Sequence, residues 1–267
     1  MNRQDLLERI TEWLENDERV RGLWVIGSTA RGTDDEFSDL DLVAVLADHK
    51  LEEFVAGWPA LVERSLPLVF HQTMTFGRTT VFNQVVGEDW LRFDLTAGPE
   101  DVLRGRSRRT ARVVFDRDGL DATLPPTGPI AGPSPEVVGR LVPEFLRVAA
   151  LLPVALGRRD YVVAASGSTL LRTMLIQLMV ESVEVEDRGG ALHLSTLLTP
   201  EHFHLVESLP PIAATRESAI AVQQACLDAF LPLARDLCHR TAVPWPTDFA
   251  NAVHRRLAPY FAEQPPR

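Results

Sequence analysis

Leu6, Leu7, Ile10, Trp13 and Leu14 recur at helical spacing and predict an amphipathic helix at the start of the chain, punctuated by Asn16 and Asp17. Leu23 to Ile26 form an apolar run that stops at Gly27, the pattern of a short buried strand. A second strand is expected from near Ser38 through "DLDLVAVLA". Residues 50–64, "KLEEFVAGWPALVER", predict a helix that Pro59 kinks or ends. Three runs with β character follow, "LVFHQTMTF", "TTVFNQVV" and "WLRFDLTA", the last two joined by a hairpin turn at Gly87-Glu88-Asp89. "ARVVFDRDG" adds a further strand. Helices alternating with strands in this way imply a mixed sheet with helices packed on it.

The pattern then changes. "PPTGPIAGPSP", residues 125–135, reads as a linker, which sets expected domains at 1–124 and 136–267. Beyond it only helical periods recur, over about 136–157, 160–186, 199–209, 215–240 and 247–262. Ser134-Pro135-Glu136 and Thr199-Pro200-Glu201 are helix-start signals. Pro143 and Pro153 are expected to bend the first helix, and "SGS" at 166–168 reads as a helix start or turn. Arg158, Arg159 and Tyr161 are placed at the opening of the second helix. The expected fold class is α+β: an N-terminal mixed-sheet domain followed by a C-terminal α-helical bundle.

Composition narrows the setting. With 267 residues, 45% of them hydrophobic, the chain can bury a sizeable core. Its two cysteines, Cys226 and Cys238, lie too far apart on one helix to bridge, which points to a reduced protein. The opening stretch is charged and helical in period, unlike a secretory leader. The longest apolar region, around "TLLRTMLIQLMV", holds Arg172 and is too short to span a bilayer. The expectation is a cytoplasmic protein with no membrane partner. A net charge of −10 disfavours nucleic acid and suits a cationic small partner.

Residues 27–42, "GSTARGTDDEFSDLDL", carry the candidate chemistry. On a strand, Asp39 and Asp41 share one face while Leu40 and Leu42 share the other. Two strand residues rise about 6–7 Å, a spacing at which carboxylates can bracket two divalent cations about 3.5–4 Å apart. Alternatively, Asp39 caps a turn and Asp41 sits on a solvated edge. An apolar strand followed by Gly27-Ser28 and a helical segment is a phosphate-binding geometry, in which the Ser28 hydroxyl and the amides after Gly27 can donate to phosphate oxygens. Arg31 either adds charge to that site or pairs with Asp34 or Asp35. Neither a P-loop nor a Gly-x-Gly-x-x-Gly fingerprint follows a strand. In "WLRFDLTA" the apolar Leu91, Phe93 and Leu95 alternate with Arg92, Asp94 and Thr96. Asp94 is thus either a third converging carboxylate or the ion-pair partner of Arg92.

The order Gly-Ser, a gap of about ten residues, Asp-x-Asp on a strand and a later strand Asp resembles the nucleotidyltransferase superfamily with the DNA polymerase β-like fold. Its two-part layout is similar to the aminoglycoside and lincosamide antibiotic nucleotidyltransferases. The strong resemblance covers roughly the first 120 residues; the helical half is similar in architecture alone. The resemblance implies that Gly27 and Ser28, with Arg31, hold the triphosphate of ATP or another NTP. It implies that Asp39, Asp41 and Asp94 are catalytic and ligate two Mg²⁺ ions, and that Asp94 takes the acceptor proton. In some relatives the base comes from the helical half, where Glu144 and Glu181 are candidates. The implied activity is transfer of a nucleoside monophosphate, AMP from ATP, to a hydroxyl of a small molecule such as an aminoglycoside or lincosamide, with release of pyrophosphate. The rival readings are a toxin–antitoxin-type nucleotidyltransferase that modifies a protein, and a degenerate nucleotide-binding module.

Other constellations carry less. The five arginines of "RGRSRRTAR", 104–112, lack interleaved aromatics and read as a solvated connector that reaches at most the nucleotide phosphates. Arg188 and His193 have ribonuclease-like spacing but flank Gly189-Gly190, which reads as a loop. His202 and His204 are two apart on a helix and do not face one another.

Overall fold

The computed structural model describes residues 1–189 and 193–262, in two compact units that divide between Pro129 and Ile130. The first is built on a six-stranded sheet of order β3-β4-β5-β2-β1-β6. Its strands are β1 (Val20–Val25), β2 (Leu40–Leu46), β3 (Leu68–Phe76), β4 (Thr79–Val86), β5 (Leu91–Gly98) and β6 (Arg112–Asp116). All neighbours run antiparallel except β2 and β5, which pair in parallel from Leu40↔Phe93 to Val45↔Gly98. The sheet is therefore mixed, in an α+β fold.

Two helices cover one face. In α1 (Arg3–Glu15) the Asn2 side chain accepts from the Asp5 amide at 2.9 Å and the Asp5 carboxylate accepts from the Asn2 amide at 3.0 Å, a reciprocal cap that satisfies two orphan donors. Leu6, Ile10 and Leu14 of α1 meet Phe54, Trp58 and Val62 of α3 (Leu51–Ser65) over Leu40, Leu42, Phe93 and Leu95. The Phe54 and Trp58 rings stack 5.6 Å apart. Pro59 does not end α3, which runs on to Ser65. Burying three large side chains at about 1.5–3 kcal/mol each outweighs the one backbone hydrogen bond the proline removes. The other face is covered over β1 and β2, where Trp24, Val43 and Val45 pack against Leu103, Ala111, Leu120 and Leu124 of the connecting segments. Toward β3 that face opens: Phe70 and Phe76 are exposed.

The second unit is helical, with α4 (Pro135–Ala149), α5 (Leu152–Gly157), α6 (Tyr161–Ser182), α7 (Leu194–Leu197), α8 (Pro200–Ser208), α9 (Arg216–Arg240) and α10 (Thr247–Ala262). The expected single helix over 136–157 is two: α4 continues through Pro143, but the chain breaks at Ala150-Leu151 and restarts with Pro153 in the first turn of α5. The buried Gln223 side chain donates to the freed Ala149 carbonyl at 2.7 Å. "SGS" lies inside α6, where the Ser166 and Ser168 hydroxyls donate to the Val162 and Ala164 carbonyls; the helix starts at the Asp160 cap. Arg158 and Arg159 precede it in the turn, Arg159 at φ 55°. α6 is longer than its apolar run suggests and is apolar enough to cross a bilayer by composition, yet Leu171, Met174, Leu175, Leu178 and Met179 pack it into the core with α4 and α9. Phe145 of α4 stacks on Phe230 of α9 with ring centroids 3.6 Å apart. Cys226 and Cys238 are unbonded and buried in α9. Gly190 of the predicted Arg188–His193 loop, and residues 263–267 of the expected helical domain, lie outside the described residues.

Candidate active site

The parallel ladder sets the site. Leu40, Leu42, Phe93 and Leu95 face the helices, so Asp41 and Asp94, which are register partners, project together from the opposite face. Adjacent strands lie about 4.8 Å apart, close enough for the two carboxylates to repel. The next residue back on each strand face completes a square: Asp39 precedes β2 and contacts the Arg92 guanidinium across the sheet. Asp39 therefore sits just ahead of the strand expected to include it. The alternative pairing of Arg92 with Asp94 does not form, because the cross-strand neighbour is nearer than a residue two along the same strand. Arg92 also donates to the Phe37 carbonyl at 3.2 Å. On the far side of Asp94, its register partner Asn83 on β4 hydrogen-bonds to the carboxylate.

Gly27 closes the other end. The Ile26 amide donates to the Asp41 carbonyl at 2.9 Å, which holds the end of β1 against Asp41. Gly27 then adopts φ 67°, and a Cβ on it would collide with Asp41 Oδ2 and lie 3.1 Å from Cγ. The chain turns directly into α2 (Gly27–Arg31), burying the Ser28 side chain.

This crowding has an electrostatic cost. Burial, then the charges of Asp94 and Asp39, push the Asp41 carboxyl up to about 6, while Arg31 and Arg106 pull it down. Burial also raises Asp94, against the Asn83 hydrogen bond and the Arg92 charge. Arg31 thus lies near enough to act on Asp41, and Asp34, one of the two partners weighed for it, contacts Arg3. Arg106 is the residue sequence reading passed over. Its segment is anchored rather than simply solvated: Ser107 and Thr110 are buried, and the Ser107 amide donates to Thr110 Oγ1 at 3.0 Å. An Arg-Ser-Arg-Arg-Thr run with two hydroxyls three residues apart was the available signal.

The helical-unit acids are otherwise engaged. Half-buried Glu144 pairs with Arg147 at 2.7 Å. Glu181 is buried, pairs with Arg188 at 3.1 Å and accepts from the Ser134 amide. Arg188 also donates to the carbonyls of Val183 and Gly132.

Among the described residues no three carboxylate, imidazole or thiolate groups are drawn together as a finished metal site. The donors at the square are nonetheless all hard oxygens, the type Mg²⁺ selects, and Asp39 already binds a cation, the Arg92 guanidinium. The residue types of Asp39, Asp41 and Asp94 therefore fit a divalent ion.

The sequence matches the streptomycin adenylyltransferase family over residues 1–255. The chain belongs to that family. As a streptomycin adenylyltransferase family member it is an adenylyltransferase, an enzyme whose co-substrate is a nucleoside triphosphate and whose acceptor is a small molecule. Comparison with curated proteins finds no match. Among solved structures, an aminoglycoside 6-adenyltransferase from Bacillus subtilis aligns with 98% of this chain and 100% of its own at 16% identity and a TM-score of 0.46. A nucleotidyltransferase-like protein from Exiguobacterium sibiricum aligns with 98% of this chain and 80% of its own at 14% identity and a TM-score of 0.33.

Proposed function

We propose that this adenylyltransferase moves AMP from ATP to a hydroxyl of an aminoglycoside antibiotic, releasing pyrophosphate, with Asp39, Asp41 and Asp94 as the catalytic carboxylates. The observation that carries the reading is the square of Asp39, Asp41, Arg92 and Asp94 with Gly27 turned tightly against Asp41. Gly27 and Ser28 present backbone amides to the triphosphate, and Arg31 and Arg106 offset its charge. Asp39, Asp41 and Asp94 would hold two Mg²⁺ ions, which when bound neutralise charge on the phosphates. Asp94 accepts the proton of the acceptor hydroxyl as that oxygen bonds to the α-phosphorus and the bond to the pyrophosphate oxygen breaks. The family's name favours an aminoglycoside over a lincosamide, and a net charge of −10 suits a polycationic acceptor. The reading places the enzyme in the cytoplasm, where ATP is supplied.

A pyrophosphate-release screen of aminoglycosides and lincosamides against the four NTPs, with Mg²⁺, tests this. The expected result is release with ATP and an aminoglycoside. Silence with every antibiotic, together with a labelled protein band in lysate given labelled ATP, would shift the assignment to a protein-modifying enzyme.

Two narrower results are expected. Mg²⁺ with a non-hydrolysable ATP analogue should stabilise the protein by about 2.7 kcal/mol at a hundred times Kd; an unchanged melting midpoint at saturation counts against nucleotide binding. Asp94→Asn should cut kcat by at least about 10²-fold. Nucleotide Kd should change less, since the Gly27 turn and the Asp39–Asp41 pair remain. A normal kcat would return Asp94 to a structural role and direct the search for a base to the helical unit.

A further inference from the structure

Arg92 is bound to the site by position. It is the cross-strand neighbour of Asp39 on the face that carries Asp41 and Asp94, and its guanidinium contacts Asp39 Oδ1. A second contact, to the Phe37 carbonyl at 3.2 Å, holds the guanidinium at the mouth of the square. The pair is partly open to water, with the side chains of Arg92 and Asp39 37% and 29% exposed, so it is a pair that solvent and ions can compete for.

We propose that Arg92 is a stand-in cation for Asp39: it occupies that carboxylate in the resting enzyme and must be displaced before Asp39 can take a divalent ion. The inference rests on reading Asp39 as a metal ligand. Arg92 is then a positioning residue. It offsets the repulsion of three crowded carboxylates when no ion is bound, and it keeps the ion's affinity low until a nucleotide arrives. A bound triphosphate would offer the guanidinium a competing anion, so Asp39 would take an ion more readily beside nucleotide than alone.

The test needs neither nucleotide nor acceptor. Mn²⁺ alone is titrated into the full chain, and free ion is counted by electron paramagnetic resonance, for wild type, Arg92→Gln, Asp39→Asn and the double variant. Arg92→Gln should bind Mn²⁺ about fivefold more tightly, the scale of a partly exposed ion pair. Asp39→Asn should bind more weakly. In the Asp39→Asn background, Arg92→Gln should add nothing, because its effect runs through Asp39. Wild-type affinity in Arg92→Gln overturns the proposal, as does tightening that persists without Asp39, which would mark a general charge effect on Asp41 and Asp94. If Asp39→Asn leaves Mn²⁺ binding unchanged, the metal-ligand reading itself fails, and that outcome is distinct from the other two. Arg92→Met, which keeps the aliphatic stem, carries the same expectations should Arg92→Gln not fold.

Discussion

Asp41→Asn is expected to make the protein more stable and inactive at once. Asp41 is crowded by Asp94 and Asp39 and sits beneath Gly27, and its carboxyl is raised to about 6. A carboxyl raised in the folded state binds its proton more tightly there than in the unfolded chain. Stability therefore falls as pH rises from the unfolded value near 4 through about 6, and the full penalty is present above it. Replacing Asp41 by Asn removes that penalty. In chelator at pH 8 the variant should gain about 1–3 kcal/mol, after allowance for solvent screening, and the gain should vanish below about pH 4. Nucleotidyl transfer should fall by at least about 10²–10³-fold, because the charge that faces the reacting phosphates is lost. Melts across pH, alongside pyrophosphate release, check both halves. A variant less stable than wild type at pH 8 would mean that Asp41 makes a favourable native contact, and near-normal turnover would remove it from the site.

Gly27→Ala should be the most damaging small substitution in the first unit. The left-handed φ of 67° costs an alanine about 1–2 kcal/mol, and the new methyl collides with Asp41 Oδ2. Relief requires either Asp41 or the turn to move, which adds about 1–3 kcal/mol and displaces the amides of Gly27 and Ser28. Nucleotide Kd is expected to rise at least about tenfold, 1.4 kcal/mol, with loss of transfer. Combining Gly27→Ala with Asp41→Gly separates the causes. The double variant should recover the collision part of the stability loss, but not the backbone strain and not the activity. Simple additivity of the two single variants would show that residue 27 and the Asp41 carboxylate do not press on one another.

Where periodicity was strong, the chain announced its elements. The β-branched and aromatic content of "LVFHQTMTF" and "TTVFNQVV" marks β3 and β4 to the residue, and alternation in the two neighbouring strands places Asp41 and Asp94 on polar strand faces. The choice of partners was not legible. Arg92 is two residues from Asp94 in sequence, and only the parallel register sets it opposite Asp39 instead. Arg106 comes near Asp41 because its segment is pinned by the buried Ser107–Thr110 turn, a tertiary effect without periodic signature. "SGS" misled because residues that discourage helix locally are overruled when their neighbours bury a well-filled face, and Pro59 fails to end α3 for the same reason.

The parallel pairing of β2 with β5 also decides when the site can exist during folding. β1 and β2 pair with each other, and β3, β4 and β5 form a second run of hairpin-connected strands, so each group can assemble from contacts close in sequence. Asp41 belongs to the first group and Asp94 to the second. They meet only when the long segment through α3 has closed and the two groups zip side by side, a step that carries a loop-closure cost the hairpins within each group do not. The repelling carboxylates lie on that seam, so the candidate site straddles a join of the sheet that neither group of strands can form by itself.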